Sequence, residues 1–134
     1  MKVDGQCHCG AVRFEAEVEP GTIGICHCTD CQTLTGSAFR AVIPVPASSF
    51  VLRGRPTEYI KTAESGTKRR HAFCPQCGTP IYATAMENPA TYSLRVGTIR
   101  QRGELGAPAR QIWCRSALAW AMSLDAVPNA EKQT

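Results

Sequence analysis

The stretch CHCGAVRFEAEVEPG, Cys7 to Gly21, carries two signals about the fold at once. Its second half alternates: Val12, Phe14, Ala16 and Val18 fall on one side and Arg13, Glu15, Glu17 and Glu19 on the other. That is the period-two pattern of a half-buried strand, and Pro20 and Gly21 stop it with a turn. Its first half sets Cys7 and Cys9 one residue apart, just before Gly10. A turn there can curl both sulfurs toward one ion while the middle side chain points outward. A strand that springs from a paired-cysteine turn predicts a β-fold fastened by metal.

The remainder of the chain extends this reading. SAFRAVIPV, SFVLRG, TEYIKT, RRHAF, TPIYAT, TYSLRVG and ARQIW each have strand character. Turn residues at Gly54, Pro56, Gly66, Gly78 to Pro80, Asn88 to Pro89 and Gly103 separate them. Pro44 and Pro46 mark an edge or a strand end, because proline has no N–H to give a ladder. Helical character is confined to a turn or two in SALAWAMSL and in CTDCQTLTG. Many short strands with regular turn signals predict an all-β fold of short antiparallel strands.

At 134 residues the chain has the length of one domain, 1–134, with a modest core and a flexible tail over 129–134. The opening MKVDGQCHCG has no apolar h-region, and no apolar run approaches a membrane span. The expectation is a cytoplasmic protein with no membrane partner.

Eight cysteines need an explanation. In a reducing compartment, close-set cysteines bind metal or do redox chemistry more often than they form disulfides. They are grouped as Cys7 and Cys9; Cys26, Cys28 and Cys31; Cys74 and Cys77; and Cys114 alone. Seven thiolates and two zinc ions would bring the formal charge of +4 down to about +1, so net charge gives no support to nucleic-acid binding.

FCPQCG, Phe73 to Gly78, is the spacing of a zinc knuckle. A redox dithiol would need a βαβ context, and no helix follows Cys77. With Cys7 and Cys9, Cys74 and Cys77 complete a closed four-thiolate site that joins distant segments, the mark of a structural zinc. Cys26, Cys28 and Cys31, within GICHCTDCQTLTG, form a second group of three. Three protein ligands and an open position are the usual arrangement of a catalytic zinc. With three thiolates that zinc carries a net charge of −1, so it makes hydroxide poorly and accepts an incoming thiolate well.

The second site can also be read as closed, with Cys114 as the leading fourth ligand and His27, Asp30 and His71 behind it. His8 and His27 sit between cysteines and are expected to face away from metal. A closed site would favour a non-catalytic binding module, and an exchangeable zinc would favour metal or thiol buffering.

The motifs GQCHCGAVRFE, CHCTDCQTLTGSAF, FVLRGRPTEYIKT, RRHAFCPQCGTPIYA, VGTI, PARQIWCRSALAW and LDAVP, in this order, resemble the family of glutathione-dependent formaldehyde-activating enzymes, which also includes centromere protein V. The resemblance implies a β-tent fold with a structural zinc on Cys7, Cys9, Cys74 and Cys77. It implies a catalytic-type zinc on Cys26, Cys28 and Cys31, and a carbon–sulfur lyase activity that joins glutathione to formaldehyde or reverses the step. The partners it implies are a small-molecule thiol such as glutathione and a small electrophile. Two positions depart from many members: Arg100 stands where they carry aspartate, and Gln111 where they carry histidine.

Eleven arginines against four lysines suit bidentate binding of carboxylates. Arg40, Arg95, Arg100 and Arg115 are the candidates, while Lys68 to Arg70 reads as a solvated strand. Trp113, Trp120, Phe39 and Tyr82 are candidate pocket walls, although aromatics at strand positions are core residues first. Asp30 is the candidate general base.

Overall fold

The computed structural model describes residues 1–133, which form ten strands and one α-helix linked by turns and short 3-10 segments. The alternating run becomes β2 (Arg13–Glu17), with Phe14 and Ala16 buried and Arg13, Glu15 and Glu17 in solvent. Val12 and Val18 continue the buried face beyond the strand ends. β2 is the centre of an antiparallel sheet between β1 (Lys2–Gln6) and β5 (Val51–Arg53).

The second sheet contains β3 (Gly24–Cys26), β4 (Arg40–Pro46), β6 (Thr57–Thr62), β7 (Lys68–Phe73), β8 (Pro80–Ala85), β9 (Thr91–Arg95) and β10 (Arg110–Ile112). Their spatial order is β10, β3, β4, β9, β8, β7, β6. The antiparallel expectation holds for every pair but β10 with β3, which run parallel. β10 follows a long connection after β9, and parallel pairing needs such a crossover. β3 pairs with only Arg40 to Val42 of β4. Pro44 and Pro46 lie beyond that point, where among the described residues this edge of β4 has no partner strand to miss their N–H groups.

One hydrophobic cluster joins Val3, Phe14 and Ala16 of the small sheet to Ile43, Val45, Ala72 and Leu94 of the large one. Each large side chain buried this way contributes about 1.5–3 kcal/mol. Tyr82 belongs to this core: it meets Tyr92 edge-on at 4.9 Å and Phe50 at 5.6 Å, and so forms no pocket wall.

Strand alternation then fixes what the other face of the large sheet carries. Cys26 is opposite Arg40, Val42 opposite Arg95, and Tyr59 opposite His71. These side chains share the face turned away from the core, and α1 (Thr29–Thr35) packs against β4 beside them.

SALAWAMSL forms one 3-10 segment, Ala119–Met122. Trp113 and Trp120 are 53% and 60% exposed, so neither walls a pocket. Residues 129–133 are exposed and outside helix and strand, and Thr134 lies outside the described residues. Among the described residues no helix is long and apolar enough to cross a membrane.

Candidate functional site

Two turns of the same design meet at the four-cysteine group. In the first, the Cys7 N–H donates to the Val12 carbonyl (2.9 Å) and the Gly10 N–H to the Cys7 carbonyl (3.1 Å). In the second, the Cys74 N–H donates to the Thr79 carbonyl (2.9 Å) and the Gly78 N–H to the Cys74 carbonyl (2.8 Å). Gly10 and Gly78 reverse the chain at φ of 83° and 80°, where a Cβ is disfavoured. Backbone amides also point at sulfur, Val12 to Cys7 at 3.2 Å and Gln76 to Cys74 at 3.4 Å. A register shift between Ala72 and Phe73 bends the strand just before Cys74.

The sulfurs of Cys7, Cys9, Cys74 and Cys77 all lie within 4.8 Å of one another. Zinc–sulfur bonds of about 2.3 Å in a tetrahedron put sulfurs about 3.8 Å apart. The Cys7–Cys9 and Cys9–Cys74 separations of 3.6 and 3.8 Å fit that spacing. Hydrogen bonds from the Thr79 side chain and backbone bring the Cys77 thiol down to about 5. Burial works to raise Cys7, but the Val12 amide, Cys9 and Cys74 leave it lowered. Thr79 escapes the sequence reading, although a hydroxyl just after a knuckle glycine is a usable signal. His8 is exposed and outside the sulfur group, as expected.

The three-cysteine group is built differently. Cys26 ends β3, Cys28 is the N-cap of α1, and Cys31 lies in its first turn. The Cys28 sulfur accepts the Cys31 N–H at 3.3 Å, which caps the helix and draws the two sulfurs together. All three sulfurs lie within 4.8 Å of one another. Both groups therefore have the geometry to hold a metal ion. Burial pushes Cys31 up to about 12. Burial also works to raise Cys28, but the Cys31 amide and the neighbouring thiols leave it lowered.

Among the described residues no fourth His, Cys, Asp or Glu joins this group. Cys114, the leading candidate, is exposed and outside it. The Asp30 carboxylate is 60% exposed and paired with Lys61 at 3.1 Å, outside the sulfur group. His27 is buried, with Nε2 2.7 Å from Gln111 Oε1 and its ring against Phe39. His71 faces Arg95 instead. The loop is latched by Gln32, whose Nε2 donates to the carbonyls of His27 (2.9 Å) and Ser116 (3.0 Å). The His27 N–H donates to the Ile112 carbonyl at 3.0 Å. Gln32 has no signal in the sequence beyond its place next to Cys31.

On the same sheet face, between α1 and the β6–β7 pair, lies a cavity of about 450 Å³. Arg40 and Arg95 line it and are only 9% and 8% exposed. Arg95 Nη2 donates to His71 Nδ1 at 3.2 Å. Burial, then the charges of Arg40 and Arg95, take His71 down to about 3, so its ring is neutral. Burial likewise lowers Arg95 to about 9. Arg40 Nε and Arg95 Nε and Nη1 are buried without a hydrogen-bond partner. Of the other two candidate arginines, Arg100 pairs with Asp4 at 2.7 Å on the surface, and Arg115 is exposed and does not line the cavity. Arg70 of the basic run pairs with Glu58 at 3.1 Å.

The family described as glutathione-dependent formaldehyde-activating enzyme matches residues 2–116. A Halomonas elongata protein bearing that family's name is 31% identical over 88 residues, 61% of this chain and 55% of its own. A Schizosaccharomyces pombe protein described as an uncharacterized lyase is 28% identical over 79 residues, 59% of this chain and 55% of its own. The chain thus spans about half the length of these curated relatives. The crystal structure of a Rhodobacter sphaeroides protein is similar with a TM-score of 0.60 at 25% identity, over 81% of this chain and 98% of that one. With both cysteine groups inside the matched residues, the chain belongs to the glutathione-dependent formaldehyde-activating enzyme family.

Proposed function

We propose that the protein is a zinc-dependent carbon–sulfur lyase that joins a thiol such as glutathione to a small aldehyde, or releases it, at Cys26, Cys28 and Cys31. The observation that carries this reading is the convergence of three sulfurs with no fourth side-chain ligand among the described residues. Structural zinc sites are closed by four protein ligands, whereas catalytic sites keep a position for substrate. Soft thiolate donors in a tetrahedral arrangement favour zinc. When bound there, zinc lowers the pKa of an incoming thiol, so that it is held as thiolate near neutral pH.

The chain's own residues prepare that position. Arg40, opposite Cys26, offsets the negative charge of three thiolates. Gln32 and Gln111 hold the loop so that the sulfurs keep their spacing. In the addition direction, the thiol sulfur bonds to the aldehyde carbon, the carbonyl π pair moves to oxygen, and the proton lost from sulfur ends on that oxygen. The reverse breaks the carbon–sulfur bond, and neither direction needs another reactant. The family description supports the thiol and the aldehyde, and the lyase-named relative supports the bond class.

In the same reading, Cys7, Cys9, Cys74 and Cys77 hold a structural zinc that ties the turn after β1 to the turn after β7. The chain acts as a single zinc-binding domain over residues 1–134. With seven of the eight cysteines committed to metal, this reading suits a reducing compartment, the cytoplasm.

The test is exchange spectroscopy of isotope-labelled formaldehyde with glutathione. Zinc-loaded protein should accelerate interconversion of free aldehyde and hemithioacetal, and Cys28→Ser should not. A fully zinc-loaded wild type with no acceleration would sink the reading.

A further inference from the structure

The cavity beside the three-cysteine group presents an unusual charge pattern. Arg40 and Arg95 are both more than nine-tenths buried, and three of their nitrogens have no partner. Among the described residues neither forms an ion pair with a carboxylate. Glu58, the acid in the lining, is engaged by Arg70 at 3.1 Å and by the Tyr82 hydroxyl at 3.3 Å. His71 accepts one Arg95 N–H and is neutral, so it offers no counter-charge. A buried charge left unpaired is costly to a fold, and such arrangements concentrate at binding sites. Three thiolates with a divalent metal offset about one of the two positive charges, which leaves roughly one for a ligand.

Leu34, Tyr59, Ala72, Phe73 and Pro80 supply apolar surface around the arginines, beside the hydroxyls of Thr35 and Thr57. Its volume of about 450 Å³ is in the range of small-ligand pockets, roughly 300–1,000 Å³. A water molecule's share of liquid is about 30 Å³, so a two-heavy-atom aldehyde would leave most of this cavity empty. Glutathione's two carboxylates suit the arginines, but its ammonium and two amides match the apolar walls poorly.

We infer that this cavity binds the carboxylate of an acid with an apolar body, carried by the electrophile and not by the thiol, with Arg40 and Arg95 as its anchors. The inference rests on the reading that Cys26, Cys28 and Cys31 take the thiol. A guanidinium holds a carboxylate through charge-assisted N–H bonds, and Arg95 Nε and Nη1 and Arg40 Nε are all unpartnered donors. The apolar walls then accept the body of the acid, and the aldehyde or equivalent carbon is presented toward the cysteine group. Arg40 sits between the two regions, because it lines the cavity and is paired in register with Cys26.

Calorimetric titration of the zinc-loaded protein with hexanoate and hexanamide tests this directly. Hexanoate should bind at least about tenfold tighter than the amide, as expected for a charge-assisted bidentate contact. Arg95→Gln and Arg40→Gln should each lose that preference, and Arg115→Gln should keep it. Should a buried-arginine variant fail to fold, the acid–amide comparison on wild type still decides. Equal affinity for acid and amide would overturn the inference. Saturating glutathione should lower hexanoate affinity only to a plateau, through the charge of the added thiolate; competitive displacement without a plateau would assign the anchors to the thiol's own carboxylate and overturn the electrophile assignment. Glutathione ligation is followed separately at the zinc absorption edge, so failure of the acid site and failure of thiol binding give different results.

Discussion

The two cysteine groups differ in how they are assembled. Cys7 and Cys9 meet Cys74 and Cys77 through two matched turns from distant parts of the chain. Cys26, Cys28 and Cys31 come from a single strand-to-helix corner within six residues. A cluster that closes a long loop adds to folding, because without it the chain must bear the cost of bringing those ends together. A local cluster fastens nothing distant. It is therefore free to keep a position open, and in the proposed reading the difference in assembly becomes a division of labour between holding the fold and doing chemistry.

The largest expected effect lies in the closed group. Cys74→Ser should leave the chain largely unfolded by circular dichroism and amide dispersion. Structural zinc contributes on the order of 10 kcal/mol in small metal-dependent domains, comparable with a whole domain's stability. A folded Cys74→Ser protein with a near-wild-type melting temperature would break the comparison. Cys28→Ser should do the opposite: it keeps the fold, loses one metal ion, and drops turnover by at least about 100-fold. Both are read by metal analysis, thermal unfolding and aldehyde exchange on the same samples.

His71 supplies a pH test of the cavity beside the open group. Its folded value of about 3 lies below the ordinary 6.5, so the unfolded chain takes up a proton first as pH falls. Its contribution is full above pH 6.5 and is lost progressively toward pH 3, with a slope of up to about 1.4 kcal/mol per unit. Denaturant titrations from pH 7 downward should show His71→Asn with a shallower decline than wild type. Parallel declines would mean that burial and the charges of Arg40 and Arg95 do not hold the ring neutral.

Smaller effects follow for the latch and the surface. Gln32→Ala removes one hydrogen bond within the cysteine loop, to His27, and one from it to Ser116 in the segment after β10. It should cost about 1–3 kcal/mol and about tenfold in turnover while both metals stay bound. Arg100→Ala breaks an exposed pair with Asp4 and should leave the unfolding midpoint and turnover unchanged. Arg100 thus lies away from the site, whereas Gln111 contacts His27 inside the cysteine loop.

What the sequence makes legible follows from how far each signal reaches along the chain. Val12 to Val18 carries enough alternation to fix its phase, and the buried residues follow it. β3 has three residues and β1 is interrupted by Asp4 and Gly5, so neither has a period to read. The four-sulfur group is legible because ligand number demands that two distant pairs meet. The cavity is not, because Arg40, Arg95 and His71 share a face only through the pairing of β4, β9, β8 and β7. Arginine counts single out Arg40 and Arg95 but also Arg100 and Arg115, and only the first two lie on paired strands that bring them to the cavity. Trp113 and Trp120 show the converse, since aromatic character does not fix burial and both are solvent-exposed.

Zinc-edge X-ray absorption of the metal-loaded protein, with and without glutathione, tests the central claim most directly. One closed and one open group predict an average of about three and a half sulfurs per zinc, rising to about four when glutathione is added. An average of four sulfurs before addition, unchanged afterwards, would mean that the second group is closed and would remove the proposed thiol site.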